Sequence, residues 1–103
     1  VERPPESGRF DVIAVSRYLE RDLAPALVRA LRPGGVLFYQ TFTLSRVSDR
    51  GPSTERYRLG ENELLRLFGA LQVLFYREED RVGDLDRGIR DEARLVAYRH
   101  PED

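Results

Sequence analysis

One stretch, residues 9–43, most constrains what this chain can fold into. It begins and ends with nearly continuous apolar runs, Phe10 to Val15 and Val36 to Phe42, as expected of parallel strands that are covered on both faces. Between these runs, apolar residues recur at helical spacing, at Leu19, Leu23, Leu27, Ala30 and Leu31, so that one stripe of a helix can lie across both strands. The stretch therefore predicts a strand-helix-strand unit.

Two signals indicate where this helix begins and ends. Asp22 is a candidate N-cap, which would place Pro25 in the first turn, where a missing N–H costs little. The sequence Pro33-Gly34-Gly35 predicts that the helix stops before the second strand.

The polar and aromatic residues that follow the two strands should meet. Crossover connections between parallel strands are right-handed in nearly all proteins, so both strands end at the same edge of the sheet. The residues placed there are Ser16, Arg17, Tyr18, Thr41, Phe42 and Thr43. Ligands of open α/β sheets bind outside the carboxyl ends of the strands, so we expect a binding site at this edge.

At these residues the chain resembles a known family. The segments FDVIAVSRYL and LRPGGVLFYQTFT resemble the middle of class I S-adenosylmethionine-dependent methyltransferases, most closely the small bacterial ones of the tellurite-resistance type. The resemblance continues through the Leu-rich helix after Gly60 and two final strands. It implies an α/β fold with two helices and a partial Rossmann-like sheet, in which the strands have the family order 4-5-7-6 and the last strand is antiparallel.

The family binds its cofactor with a glycine-rich loop after the first strand and an acidic residue after the second, and this chain contains neither. The resemblance therefore implies the C-terminal half of a methyltransferase-like domain. We expect residues 1–103 to form a single domain, with an exposed lead-in at residues 1–8 and a long loop at residues 44–60. We also expect this half to be inactive by itself.

The resemblance also assigns the rim residues. It implies that Ser16, Arg17 and Tyr18 bind S-adenosylmethionine, and that Thr41, Phe42 and Thr43, with the loop after them, face a small-molecule acceptor. Relatives often have an asparagine where this chain has Arg17. The guanidinium could hold a carboxylate bidentately or be an ordinary solvated arginine, and Tyr18 could line a pocket or cap the core.

No catalytic residue is identified. Glu20 stands where relatives often have a histidine, which weakens a proposal of base catalysis. The loop at residues 44–60 is longer than most connections, which is typical of lids, binding segments and disordered tethers; a lid on the acceptor side and a tether both remain open.

The missing residue types exclude several kinds of chemistry. The chain has no cysteine and no lysine, and its one histidine is His100 in a polar tail. A thiol nucleophile, a Schiff base, a Ser-His-Asp triad and a His-rich metal site are therefore excluded within this chain. Asp84 and Asp86 alternate like calcium ligands, but Gly88 does not fall at the spacing of an EF-hand loop. A transferase that mainly orients two reactants remains possible.

Charge and hydropathy limit the kinds of partner that the chain could bind. The 17 basic residues and 18 acidic residues nearly cancel, and the arginines are scattered, so we expect no nucleic-acid partner unless they gather on one face. The sequence shows neither a membrane-spanning run nor a leader, so we expect a cytoplasmic protein without a membrane partner.

The strand Phe10 to Val15 would form a long apolar sheet edge, and such edges invite another chain. We expect either a homo-oligomer or the missing N-terminal half to pair there. A non-catalytic α/β interaction module that docks a partner through this edge is the alternative function, because a fold does not fix a function.

Overall fold

The structure, a computed structural model, describes residues 8–101. The strands are β1 (Phe10–Ser16), β2 (Leu31–Phe42), β3 (Gln72–Glu78) and β4 (Glu92–Tyr98), and the helices are α1 (Ala24–Ala30) and α2 (Glu63–Leu67). Single 3-10 turns occupy Arg21–Leu23 and Glu55–Tyr57. Of the predicted lead-in, all but Gly8 lies outside the described residues.

The four strands form one sheet in the order β1-β2-β4-β3. β1 pairs with β2 in parallel, and β4 is antiparallel to both of its neighbours. This arrangement confirms the predicted strand-helix-strand unit, the strand order and the antiparallel final strand.

The predicted N-cap is wrong. A 3-10 turn precedes α1 and contains Asp22, so the N-cap position of α1 is Leu23, whose side chain makes no capping hydrogen bond. Glu20 is the N-cap of the 3-10 turn instead. Glu20 has the extended backbone of an N-cap, and its carboxylate accepts a hydrogen bond from the backbone N–H of Asp22 at 3.5 Å. Pro25 does lie in the first turn of α1, as predicted.

The Pro-Gly-Gly sequence is not the helix stop. α1 ends at Ala30, and Leu31 is already extended, so Pro33, Gly34 and Gly35 lie within β2. Gly34 has a φ of +84° and donates its N–H to the carbonyl of Arg99. Because Phe10 pairs with Leu31 and Val12 with Val36, the sequence forms an irregularity in the strand rather than a separate turn.

The core lies on one face of the sheet. Leu37, Tyr39 and Leu95 point toward α1 and α2 and are nearly inaccessible. The rings of Tyr39 and Phe68 pack with their centroids 5.4 Å apart. Burying a leucine of this kind contributes roughly 2 kcal/mol.

The other face of the sheet differs from the expectation that the strands are covered on both faces. Val12, Phe38 and Phe75 are 57%, 45% and 48% exposed. Among residues 8–101, both helices pack on the core side, so this second face, called the open face below, stays accessible.

Candidate functional site

The ends of β1 and β2 meet at one rim of the sheet. The N–H of Arg17 donates to the carbonyl of Gln40 at 2.8 Å, and the side-chain amide of Gln40 donates to the hydroxyl of Ser16 at 3.0 Å. These bonds join the two strands at the last pair of their register, Ser16 and Gln40, and one residue beyond it. The structure thus brings the two predicted groups of residues together, while their binding roles stay a prediction.

A cleft of about 400 Å³ opens at this rim. Its lining comes from the turn after β1, from β2 and from the loop at residues 44–60: Arg17, Tyr18, Leu19, Glu20, Thr41, Pro52 and Tyr57. Tyr18 and Tyr57 are 40% and 42% exposed. The cleft offers one cation, one carboxylate and two aromatic rings to a ligand.

Arg17 has an unusual backbone conformation. Its φ is +57°, in the left-handed region that residues other than glycine, asparagine and aspartate seldom adopt. Its guanidinium carbon lies 5.9 Å from the centre of the Phe42 ring. Among residues 8–101, no carboxylate forms an ion pair with Arg17, so the guanidinium remains available to an anionic group of a ligand.

Tyr39 supports the rim from below. Its hydroxyl donates to the backbone carbonyl of Tyr18 at 2.6 Å. Burial is the main cause that raises the pKa of Tyr39 to about 12, so the hydroxyl stays a donor at neutral pH. The apolar run Val36 to Phe42 predicts a strand position for Tyr39 but gives no sign of this contact.

The three predicted acceptor-side residues differ in their surroundings. Thr41 lines the cleft. Phe42 is buried, and the guanidinium carbons of Arg50 and Arg58 lie 5.7 and 5.5 Å from the centre of its ring. Thr43 is buried and donates its hydroxyl to the carbonyl of Ser45 at 2.6 Å. Phe42 and Thr43 therefore support the loop that follows them. Thr41 is also buried, with 1% of its surface exposed, although it borders the cleft.

Arg58 holds the loop at residues 44–60 in place. It is 1% exposed, and its guanidinium donates to the carbonyls of Thr43 and Pro52, each at 2.8 Å, and to the carbonyl of Arg50. Leu59 forms a bridge to Thr43 beside it. These contacts are those of a folded loop rather than a tether. No sequence signal distinguishes Arg58 from the rest of the 17 basic residues.

Asp91, just before β4, anchors the same loop from the opposite side. Its carboxylate accepts from the N–H groups of Val47 and Ser48 at 2.6 and 3.3 Å, from the hydroxyl of Ser48 and from Arg50. Burial by itself would raise the pKa of Asp91, but the hydrogen bonds together lower it below the usual value.

Arg21 ties the turn before α1 to the far end of the loop. Its guanidinium donates to the carboxylate of Glu63 and to the carbonyls of Arg56 and Arg58. The hydrogen bond from Arg21 is the main cause that lowers the pKa of Glu63. Tyr57, which lies between the two bonded carbonyls, is thereby held against the cleft.

The segment between β3 and β4 contains the spacing that resembles calcium ligands. Asp84 instead accepts from the backbone N–H of Asp86 at 3.0 Å, and Arg90 donates to five carbonyls of the segment. Within residues 8–101, no cluster of His, Asp or Glu side chains could hold a metal ion. None of the helices described is long and apolar enough to cross a membrane.

Comparison with known proteins finds similarity at the level of structure. No protein-family model matches the chain, and no curated protein matches it. The chain is similar to SpnF, a [4+2]-cyclase, with a TM-score of 0.68 and 17% identity over 96% of this chain and 53% of SpnF.

Two further solved structures show the same fold. TehB from Haemophilus influenzae has a TM-score of 0.62 and 19% identity, over 91% of this chain and 37% of TehB. The geranyl diphosphate C-methyltransferase from Streptomyces coelicolor, solved with S-adenosyl-L-homocysteine, has a TM-score of 0.62 and 15% identity, over 95% of this chain and 49% of that enzyme. The chain spans about half the length of these proteins, or less.

Proposed function

We propose that this chain, which has the fold of the C-terminal half of a class I S-adenosylmethionine-dependent methyltransferase, is part of such an enzyme and acts on a small-molecule acceptor. The observation that carries the proposal is the rim itself. Two parallel strands bring Arg17, Tyr18 and Thr41 to one cleft, at the edge where open α/β sheets bind ligands. The volume of about 400 Å³ lies in the range of small-molecule sites, roughly 300–1,000 Å³.

The residues of the cleft suit the amino-acid part of the cofactor. S-adenosylmethionine carries a carboxylate and an ammonium group there, and Arg17 and Glu20 offer the two complementary charges from one wall. We assign Arg17 to the carboxylate, with Ser16 and Tyr18 beside it. When bound, the cofactor supplies a methyl group activated for transfer by the positive charge of its sulfur.

The contribution of this chain would be to orient the acceptor. Thr41 borders the cleft but is 1% exposed, while Phe42 and Thr43 hold the start of the loop whose Pro52 and Tyr57 form the opposite wall. Orientation of this kind lowers a barrier without a covalent nucleophile, which agrees with a chain that lacks cysteine and lysine. A cytoplasmic, bacterial setting is part of the proposal, and TehB, which is similar in structure, comes from the bacterium Haemophilus influenzae.

Isothermal titration calorimetry with S-adenosylmethionine tests the proposal. Two proteins are compared: the 103-residue chain, and a polypeptide in which a glycine-rich strand-loop-helix precedes Val1. We expect no measurable heat of binding from the chain alone and saturable binding from the longer polypeptide. Tight binding by the chain alone would contradict the division of the cofactor site between two halves, and failure of both proteins to bind would refute the proposal.

The alternative is a non-catalytic module that docks a partner through β1. The accessible edge favours it, because Phe10 and Val12 are 41% and 57% exposed. SpnF also shows that the same fold occurs in a protein named for a different reaction. If the longer polypeptide bound no S-adenosylmethionine while a partner still protected the β1 amides from hydrogen exchange, the alternative would hold.

A further inference from the structure

Two half-exposed tyrosines border the cleft at the rim. Tyr18, after β1, and Tyr57, in the loop at residues 44–60, are 40% and 42% exposed and line the same cleft of about 400 Å³. Hydrogen bonds fix the backbone at both residues: the carbonyl of Tyr18 accepts from the Tyr39 hydroxyl, and the carbonyls before and after Tyr57 accept from Arg21. Aromatic residues that are already in place can stack on a flat ligand at little cost in entropy.

Thr41 brings a hydroxyl group to the same cleft. The residue lines the cleft and is 1% exposed, and within residues 8–101 its hydroxyl forms no hydrogen bond. Thr43, two residues later on β2 and beyond it, does form one, to the carbonyl of Ser45. Because buried hydroxyls are almost always paired, we expect a polar atom of a ligand in the cleft to complete the hydrogen bonding of Thr41.

The cleft offers no strong base. Of the described residues that line it, only Glu20 has a carboxylate, and none is a histidine or a lysine. Glu20 accepts a hydrogen bond from the backbone N–H of Asp22 at 3.5 Å, and the proposed function assigns it to the ammonium group of the cofactor. A methyl acceptor at this cleft must therefore lose its proton easily. A phenol, with a pKa of about 10, does so far more readily than an aliphatic alcohol, because its ring delocalises the negative charge.

We infer that the acceptor is a planar aromatic compound with a hydroxyl group on its ring. The inference rests on the proposed function and names the class of its substrate. The ring lies against Tyr18 and Tyr57, and its hydroxyl oxygen accepts a hydrogen bond from the hydroxyl of Thr41. On transfer, this oxygen bonds to the methyl carbon, the carbon–sulfur bond breaks with its electron pair left on sulfur, and the phenol proton passes to water.

Three small probes test the class against the ¹⁵N-labelled 103-residue chain: phenol, benzene and cyclohexanol. We expect phenol to shift the amide resonances of Tyr18, Thr41 and Tyr57. Benzene should bind about fivefold more weakly because it lacks the hydroxyl, and cyclohexanol about tenfold more weakly because it cannot stack on the two tyrosines. Equal affinities for the three probes, shifts that avoid the cleft, or the absence of binding would overturn the inference.

Two variants of Thr41 test the hydrogen bond. Thr41→Val removes the hydroxyl and should abolish the preference for phenol over benzene, whereas Thr41→Ser keeps a hydroxyl and should retain the preference. The measured quantity is a ratio of two affinities, so a general loss of stability would not produce this pattern. A preference for phenol that survives in Thr41→Val would contradict the inference.

A variant of Tyr57 tests the stacking, and it does so even if Thr41→Val fails to fold, because Tyr57 is half-exposed. Tyr57→Leu should weaken phenol about fivefold and leave the affinity for cyclohexanol nearly unchanged. Phe75→Leu, at a ring that is 48% exposed on the open face, is the matched control and should alter neither affinity. An unchanged affinity for phenol in Tyr57→Leu would count against an aromatic acceptor.

Calorimetry of the longer polypeptide separates this inference from the proposed function. Binding of both S-adenosylmethionine and phenol supports the two together. Binding of S-adenosylmethionine without phenol would overturn the inference and leave the proposed function in place. Binding of phenol without S-adenosylmethionine would refute the proposed function, and with it the role of the aromatic compound as a methyl acceptor.

Discussion

The hydroxyl of Tyr39 donates a hydrogen bond of 2.6 Å to the backbone carbonyl of Tyr18. Tyr39 is buried in the core on β2, whereas Tyr18 stands on the exposed rim of the cleft. This bond therefore connects a buried residue of the sheet to the wall of the candidate site.

Tyr39→Phe should lower the free energy of unfolding by about 1 kcal/mol, the usual net value of such a bond. It should also shift the amide resonances of Tyr18 and Leu19, because the carbonyl of Tyr18 loses the hydrogen bond from the Tyr39 hydroxyl. Urea denaturation and two-dimensional NMR measure both effects. Tyr76→Phe, which removes a hydroxyl that donates to Glu78, is the control, and unchanged rim resonances in Tyr39→Phe would contradict the proposed support.

Arg58→Lys should destabilise the chain by about 3 kcal/mol, because one ammonium group cannot replace a planar guanidinium that donates to three carbonyls. The loop at residues 44–60 should then exchange its amide hydrogens faster than the sheet does. Hydrogen-exchange mass spectrometry measures this difference. Arg56→Lys, at an exposed position in the same loop, should change stability by less than about 0.5 kcal/mol, and a similar effect of both variants would argue against the anchoring role.

Stability should fall on acidification below about pH 4, where an unfolded aspartate takes up its proton. The pKa of Asp91 is lowered in the folded chain. Its contribution is therefore fully present above the pKa of the unfolded state and is lost as the pH falls through the pKa of the folded state. Thermal unfolding between pH 7 and pH 3 measures the slope.

Asp91→Asn keeps a side chain that tolerates the φ of +68° at this position. It should lower the unfolding midpoint at pH 7 and flatten the acid slope. Asp49→Asn, in the same loop and exposed, is the matched control. If Asp91→Asn kept the full acid slope, another carboxyl group would have to cause it.

Arg17→Asn should leave stability unchanged or slightly higher, because asparagine adopts a φ of +57° more readily than arginine does. If Arg17 holds the cofactor carboxylate, the same variant of the longer polypeptide should bind S-adenosylmethionine about tenfold more weakly. Calorimetry measures the affinity, with Arg56→Asn as the control. Unchanged affinity would remove Arg17 from the proposed site without affecting the fold.

The 103-residue chain should self-associate through β1 at high concentration, since its edge strand is apolar and accessible. Val12→Lys places a charge on that edge and should shift sedimentation velocity profiles toward the monomer, whereas Val82→Lys should not. A wild-type chain that stays monomeric at millimolar concentration would contradict this prediction.

Much of the fold could be predicted from the sequence because its signals are local. The apolar runs at Phe10 to Val15 and Val36 to Phe42 and the helical spacing between them depend only on neighbouring residues, and right-handed crossover then places Arg17 and Thr41 at one rim. The structure confirmed the strand order that the resemblance implied. Two predictions failed. A 3-10 turn precedes α1, so Asp22 does not cap that helix, and hydrogen bonds with Arg99, which is distant in sequence, keep Gly34 and Gly35 within β2.

What the sequence by itself determined is the alternation of strands and helices and the chemistry that the chain lacks. Tertiary structure alone decided which arginines matter: Arg58 and Arg21 hold the loop. The physical reason is that a guanidinium takes its role from carbonyls and carboxylates brought near by folding. Those partners lie far away in sequence, as Glu63 lies from Arg21, and no local pattern encodes them.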